Sequence, residues 1–271
     1  MTGIAIWQAA VLGVLQGLAE FLPISSSAHL SLAPWAFRWP EPGLAFDVAL
    51  HVGTLVAVLA YFREEWVLLA RAAGRLASER RMPHDDHERR AMLLVVATVP
   101  GLLGGYLLND YAETVFRAPA LTATALIAMG VVLWAVDRFA PARRTLSALT
   151  PRDALLIGVA QVAALIPGVS RSGATITAGR AVGTDRAGAA VFSFLLSGPI
   201  TAAAAAFEAR HAIRNPGAIP PLLVGITCAA VSGWIAIAFL LRLIRTRGYA
   251  AFAWYRVILG AAVLALVVAR G

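Results

Sequence analysis

Gly13-Val-Leu-Gln-Gly-Leu-Ala-Glu-Phe-Leu-Pro-Ile-Ser-Ser-Ser-Ala28 and Gly158-Val-Ala-Gln-Val-Ala-Ala-Leu-Ile-Pro-Gly-Val-Ser-Arg-Ser-Gly173 are two copies of one pattern. Each reads as a short apolar helix with a Gln inside it, halted by Pro and followed by a turn of hydroxyl-bearing and small residues. The offset from Gly13 to Gly158 is 145 residues, about half of the 271-residue chain. Two related halves, of about 1–140 and 150–271, are therefore expected within one domain spanning 1–271. Polar, broken helices at matching places in two hydrophobic halves point to a site inside a membrane.

The rest of the chain agrees with that setting. Hydrophobic residues make up 59% of it and charged residues 14%, with a mean hydropathy of +0.75. The apolar share and hydropathy lie above, and the charged share below, those of an ordinary soluble domain, which indicates a polytopic membrane protein. The formal charge of +8 comes from Arg alone, concentrated in short segments between apolar runs. That pattern describes membrane topology, and no nucleic-acid partner is expected. The single Cys228 lies in an apolar run, which excludes a disulfide framework and a thiolate metal cluster. The run Ile4–Leu22 lacks a basic flank and contains Gln8, Gln16 and Glu20, so it reads as retained structure, not as a signal peptide.

Six runs reach membrane-spanning length, about 20 residues: Leu44–Phe62, Ala91–Leu108, Ala120–Val136, Ala187–Phe207, Pro221–Leu241 and Phe252–Val268. Ile4–Leu22 and Ala154–Ile166 are marginal or short as spans, end at Pro and lead into polar turns. They read as the first arms of two re-entrant hairpins. The fold class expected is thus an all-α polytopic membrane protein, an inverted-topology repeat of six transmembrane helices and two re-entrant helical hairpins. Segment 63–90, read as a loop, holds seven Arg, and 137–153 holds four. Arg242, Arg245 and Arg247 cluster near a third loop, while Asn109–Ala118 holds only Arg117. The first three loops are expected on the cytoplasmic side and both termini outside; Arg210 and Arg214 in Glu208–Ala218 run against this. Trp35 and Trp39 would mark the outer interface, and Trp66, Trp134 and Trp254 the inner one. Gly104–Gly105 and Ala202–Ala206 are expected to let helices pack closely.

Gln16 and Glu20, four apart, share one helix face just before the Pro23 break. A carboxylate at that depth must face a cavity, pair with a cation or be protonated. Ser25, Ser26, Ser27 and His29 then offer a nucleophile, phosphate donors and a proton carrier within one turn. In the second copy, Gly168, Ser170, Arg171, Ser172, Gly173 and Thr175 place a guanidinium and hydroxyls at a helix start, where free amides favour an anion. A purely structural Glu20–Arg171 ion pair is the competing account of the two charges. Asp47 and His51 line an entrance or sit at the interface; His84, His87 and His211 read as solvated, and Arg256 as reaching to the interface.

Gln16-Gly-Leu-Ala-Glu-Phe-Leu-Pro-Ile-Ser-Ser-Ser-Ala-His29 together with Pro167-Gly-Val-Ser-Arg-Ser-Gly173 resembles the undecaprenyl-diphosphate phosphatase family, integral-membrane enzymes linked to bacitracin resistance. The resemblance spans the chain. It implies hydrolysis of undecaprenyl diphosphate to undecaprenyl phosphate in a bacterial plasma membrane, with the active site opening outward. Carried over by motif, Ser26 matches the nucleophile, Glu20 the essential carboxylate and Arg171 the phosphate clamp; Ser170, Ser172 and Thr175 match supporting donors and His29 a catalytic position. A divalent cation, Mg2+ or Ca2+, is implied at Glu20 and Gln16. Gln16 stands where many members have Glu, and Gln can coordinate but cannot act as a base. Expected partners are the polyprenyl diphosphate and membrane lipid, and a homodimer is left open. The reading from another class is a transporter or flippase for an anionic lipid, which would use Arg171 and the glycines equally but would not need Ser26 beside Glu20. The Pro-Ser-Gly-His pattern of another lipid phosphatase type is absent from the sequence.

Overall fold

In a bilayer, backbone polar groups must find partners within their own segment, and the apolar runs of this chain do so as helices. The computed structural model describes residues 4–114, 118–214 and 219–270, and their side chains except at 44, 109–114 and 208–214. Among these, the α-helices are α1 Ile6–Phe21, α2 Ser26–Phe37, α3 Leu44–Tyr61, α4 Arg63–Glu79, α5 Asp86–Thr114, α6 Pro119–Phe139, α7 Pro151–Val162, α8 Arg171–Ala181, α9 Arg186–Arg214, α10 Ile219–Leu243 and α11 Ala250–Arg270. Pro119 and Pro151 sit in the first turns of α6 and α7, where no backbone donor is missed. Thr150 and Asp153 cap α7 reciprocally: Thr150 Oγ1 accepts from the Asp153 amide at 3.2 Å and Asp153 Oδ2 from the Thr150 amide at 2.8 Å.

Helices α5 (through Leu108), α6, α9 (through Phe207), α10 and α11 are long and apolar enough to cross a membrane, and α3 meets that measure only together with α4, from which it bends by 86°. These six correspond to the expected runs. Their outward faces are apolar, with Val95, Leu103, Val131, Leu223, Ile235 and Ile258 exposed, as lipid-facing surfaces require. Inside, Phe21, Leu133, Ile176, Phe194, Ile237 and Tyr249 belong to one buried cluster, in which the Phe21 and Phe194 rings meet edge to face at 5.4 Å.

Helix α1 lies along α10 and α7 along α5, while α3 pairs with α9 and α10, and α6 with α11. Small residues make the two hairpin seams. A Cβ on Gly13 would stand 2.5 Å from the Gly225 carbonyl oxygen, and one on Gly158 would stand 2.9 Å from the Ala97 Cα. Gly104 packs on Val162 as expected, but Gly105 faces open space. Ala202–Ala206 alternate between half-buried and exposed, so they form no tight seam.

The segment 63–90, read from its charges as a loop, is largely the helix α4. Leu69 and Ala72 are buried on one face of it, an amphipathic period that the arginine count concealed. Its far end is tied by Glu88, which accepts from Arg75 Nε at 2.9 Å, Arg81 Nη1 at 2.7 Å and the His84 amide at 2.9 Å. The three arginine-rich segments gather at one end of the molecule: Arg89 donates to the Leu149 carbonyl at 2.8 Å, and the Tyr249 amide to Asp137 at 3.0 Å. Arg117, Arg210, His211 and Arg214 lie outside the described side chains.

Candidate active site

Helix α1 carries Gln16 and Glu20 one turn apart, and Gln16 Nε2 donates to Glu20 Oε2 at 3.1 Å. Pro23 prevents α1 from continuing, and the chain reverses through Ser25 at φ +78° before α2 begins at Ser26. That reversal returns Ser26 to Glu20: its hydroxyl donates to Oε2 at 2.6 Å, within the range of a charge-assisted bond. The second copy makes the same turn. Gly168 at φ +98° and Ser170 at φ +73° bring the chain round, and α8 begins at Arg171. Gly168 is required both by this left-handed conformation and by the backbone of Thr122 packed against it.

Arg171 donates through Nη2 to Glu20 Oε1 at 2.6 Å and through Nη1 to the Ser193 carbonyl at 3.1 Å. The Glu20 carboxylate is thus shared, with Arg171 on one oxygen and Ser26 and Gln16 on the other. The structure brings together the residues the two motifs nominate. Ser172 donates to the Leu22 carbonyl at 3.2 Å, stitching one turn to the other. Thr175 Oγ1 bonds to the Arg171 carbonyl at 2.8 Å and to Ser193 Oγ at 2.7 Å, tying the first turn of α8 to α9. Hydroxyl pairs recur at matching places, Ser25 with Ser27 at 3.2 Å and Ser170 with Ser172 at 3.1 Å.

His29 lies beside this centre and is engaged elsewhere. Its Nδ1 bonds to the Ser25 carbonyl at 2.7 Å and its Nε2 to the Tyr255 hydroxyl at 2.7 Å, with the two rings stacked. A ring nitrogen against a carbonyl oxygen is the donor, so Nε2 of the neutral imidazole accepts from Tyr255. His51 comes nearer to the carboxylate than its sequence position implied: Nε2 stands 3.9 Å from Glu20 Oε2 and the side chain is 37% exposed. Its Nδ1 is held by the Asp47 carbonyl at 2.8 Å, which leaves Nε2 at the mouth of the site.

Arg256 overturns an expectation. Read as reaching to the interface, it is fully buried and donates to Pro23 at 3.1 Å, Gly168 at 2.6 Å and Val169 at 2.9 Å, all carbonyls of the two turns. One guanidinium on α11 therefore fastens both turns together, using carbonyls instead of a carboxylate. Neither Arg256 nor Ser193 belongs to a motif. An Arg inside an apolar run was the available signal for the first; nothing in the sequence marks the second.

As a metal seat the site is spare. Among the described residues no group of three or more His, Cys, Asp or Glu side chains is placed to hold an ion. Gln16 Oε1 is, however, buried without a hydrogen-bond partner, and with Glu20 it offers two oxygen donors. That set fits an ion that keeps most of its waters, as Mg2+ does, better than the six to eight ligands of Ca2+.

Two helix starts, α2 and α8, thus converge on one carboxylate, one hydroxyl and one guanidinium. The first amides of each helix have no intrahelical acceptor, and in α8 only the Gly173 amide is met by a cap, Ser170 Oγ at 3.1 Å. Such an arrangement can hold an anion and deprotonate a hydroxyl beside it. The chain is 54% identical over 265 residues to the undecaprenyl-diphosphatase of Gemmatimonas aurantiaca, covering 98% of this chain and 99% of the relative. It is 49% identical over 266 residues to that of Pelotomaculum thermopropionicum, covering 98% of each. With that of Geobacter sulfurreducens it shares 47% over 270 residues, 98% of this chain and 99% of the relative. Residues 9–262 match the family described as bacitracin resistance protein BacA, and the chain belongs to that family.

Proposed function

We propose that this protein hydrolyses undecaprenyl diphosphate to undecaprenyl phosphate and inorganic phosphate in a bacterial plasma membrane, with Ser26 as nucleophile. The observation that carries this reading is the Ser26 hydroxyl donating to Glu20 at 2.6 Å while Arg171 holds the other carboxylate oxygen. A transporter has no use for a hydroxyl aimed at a base.

In this reading the terminal phosphate of the lipid settles against the amide ends of α2 and α8, and Arg171 turns part of its fork onto phosphate oxygens. Glu20 takes the Ser26 proton. The Ser26 oxygen bonds to the terminal phosphorus, the bond from phosphorus to the bridging oxygen breaks, and undecaprenyl phosphate leaves with the bond electrons. Glu20 gives that proton up to solvent and is ionised again; water then passes a proton to Glu20 as it attacks the phosphoserine, the bond from phosphorus to the Ser26 oxygen breaks, and Glu20 returns the proton to that oxygen as phosphate leaves. Gln16 Oε1 and Glu20 would hold a Mg2+ ion, which would neutralise charge on the transferring phosphate. His29, engaged through both nitrogens, keeps the Ser25 turn in shape; the Ser25 carbonyl fixes its tautomer, and Tyr255 donates to the other nitrogen.

The same proposal extends to topology. The 145-residue offset, the matched positive-φ serines and the parallel seams α1–α10 and α7–α5 support an inverted repeat with two re-entrant hairpins. The gathered arginines support a cytoplasmic position for that end, which leaves the first hairpin entering from outside.

Acid-quenching the purified protein during turnover of undecaprenyl diphosphate and sequencing its peptides by mass spectrometry tests the central step. Phosphate on Ser26 is the expected result. Full activity in Ser26→Ala would transfer the attack to another group.

A further inference from the structure

The second hairpin has a base as well as a tip, and the base is shaped for a ligand. Where α7 begins and α8 ends, segment 141–144 flanks an open cavity of about 340 Å³ whose lining includes Arg143, Arg144, Arg152, Asp153, Leu156 and Gly183. Three arginines against one aspartate leave the lining net positive by two. Asp153 is already saturated, accepting from Arg144 Nη2 at 2.7 Å and from the Thr150 amide and hydroxyl at 2.8 and 2.7 Å. Arg144 is braced further by the Val182 carbonyl at 3.1 Å. Arg143 and Arg152 are exposed and their guanidinium groups have no partner among the described residues. Gly183, at φ +90°, keeps that wall free of a side chain.

From this basic cavity an apolar lane leads away. Leu156, on its edge, is followed one turn along α7 by Val159; both face outward, 47% and 55% exposed, with Leu155 beside them. A free anion would use only the cavity, whereas a lipid would use cavity and lane together.

We propose that this cavity binds the phosphate headgroup of an anionic membrane lipid, held by Arg143 and Arg152 against the fixed Arg144, with an acyl chain lying along Leu156 and Val159. The site is separate from the catalytic centre. It lies at the last turn of α8, and Arg171 is at the first, roughly 15 Å away along the helix. Bound lipid would join the 141–144 segment to both arms of the hairpin and steady the base from which Arg171 is presented. The inference does not depend on the phosphatase reading.

The test is lipid binding to the purified full chain, delipidated in detergent and titrated with phosphatidylglycerol, phosphatidylcholine or inorganic phosphate, read by native mass spectrometry and thermal unfolding. Phosphatidylglycerol is expected to be retained and to raise the unfolding temperature, phosphatidylcholine to do neither, and inorganic phosphate to have little effect. Arg143→Gln combined with Arg152→Gln should weaken phosphatidylglycerol binding tenfold or more, by roughly the loss of two interfacial charges. Leu156→Asn should weaken it while leaving helix content by circular dichroism unchanged. Equal binding of the two lipids, or binding indifferent to the arginine pair, overturns the proposal. Inorganic phosphate matching phosphatidylglycerol in stabilisation, with Leu156→Asn indifferent, would make this a free-anion site and overturn the lipid assignment.

Discussion

The turn at Ser25 and the turn at Ser170 share a backbone and differ in chemistry. Both place a serine at positive φ immediately before a helix, both pair that serine with the hydroxyl two residues on, and both accept the Arg256 guanidinium on nearby carbonyls. At matched positions the first has Ser26 and the second Arg171; Glu20 in the first arm matches Leu165 in the second. Gln16 donates to Glu20, whereas Gln161 donates to the Ala97 carbonyl at 3.1 Å and fills the seam with α5. Two turns of matching backbone present a hydroxyl beside a carboxylate on one side and a guanidinium on the other. In the proposed reading, function is divided by substitution at these few matched points.

The largest effect that would break this division is at Ser26. Ser26→Ala should lower phosphate release by about three orders of magnitude or more, as loss of a nucleophile does elsewhere, while the protein elutes and unfolds like the parent. Residual activity within tenfold of the parent would strip the first turn of its assigned hydroxyl chemistry.

Arg171 comes next, because its fork reaches Glu20 and, in the proposed mechanism, two phosphate oxygens. Arg171→Lys keeps charge and loses the fork, and should raise the barrier by about 2–4 kcal/mol, comparable to removing one preorganised donor. If Glu20 and Arg171 merely brace each other, Lys should be tolerated, and Glu20→Gln with Arg171→Gln should recover the activity that each single change removes. Steady-state rates of the four proteins separate these outcomes.

Arg256 tests what the turns share. Arg256→Met should destabilise by about 2 kcal/mol, since carbonyls of Pro23, Gly168 and Val169 lose a buried donor. Chemical unfolding in detergent measures it, and an unchanged midpoint would mean that the turns hold without the strap.

The smallest effect sharpens the comparison most. Ser25→Gly relieves about 1–2 kcal/mol of left-handed backbone strain, offset by about 0.5–1 kcal/mol of added chain entropy and by loss of the hydroxyl bond to Ser27, worth about 0.5–1 kcal/mol, and should be close to neutral in stability. Ser170→Gly has the same terms and also removes the cap on the Gly173 amide, worth about 1 kcal/mol or less. The second variant should therefore unfold more readily than the first, and equal midpoints would show that the cap contributes nothing.

Much of this molecule was legible before its coordinates. The repeat at Gly13 and Gly158, the apolar runs and the nomination of Glu20, Ser26 and Arg171 follow from local patterns of hydropathy and residue type, and such patterns survive folding. The residues that escaped notice act on distant backbone. Arg256 serves carbonyls more than 80 residues away, and Ser193 offers a carbonyl to Arg171; a carbonyl has no signature in sequence. Helix α4 was hidden for a different reason, because charges dense enough to mark topology also masked the Leu69 and Ala72 stripe.

The contact between Glu20 and Arg171 joins residues 151 positions apart, and the chain is made in order. When Glu20 first reaches the membrane its cation has not been synthesised, and a lone carboxylate at bilayer depth costs about 2.5–3.5 kcal/mol on insertion scales. The first hairpin to leave the ribosome is accordingly expected to be the last to settle. In a background lacking Cys228, nascent chains arrested before residue 150 should leave a cysteine placed at Ala28, which is buried in the folded protein against Leu126 and Val263, open to water-soluble reagents, and release of the full chain should close it. Protection already complete in the arrested chain would show that the first hairpin seats itself unaided.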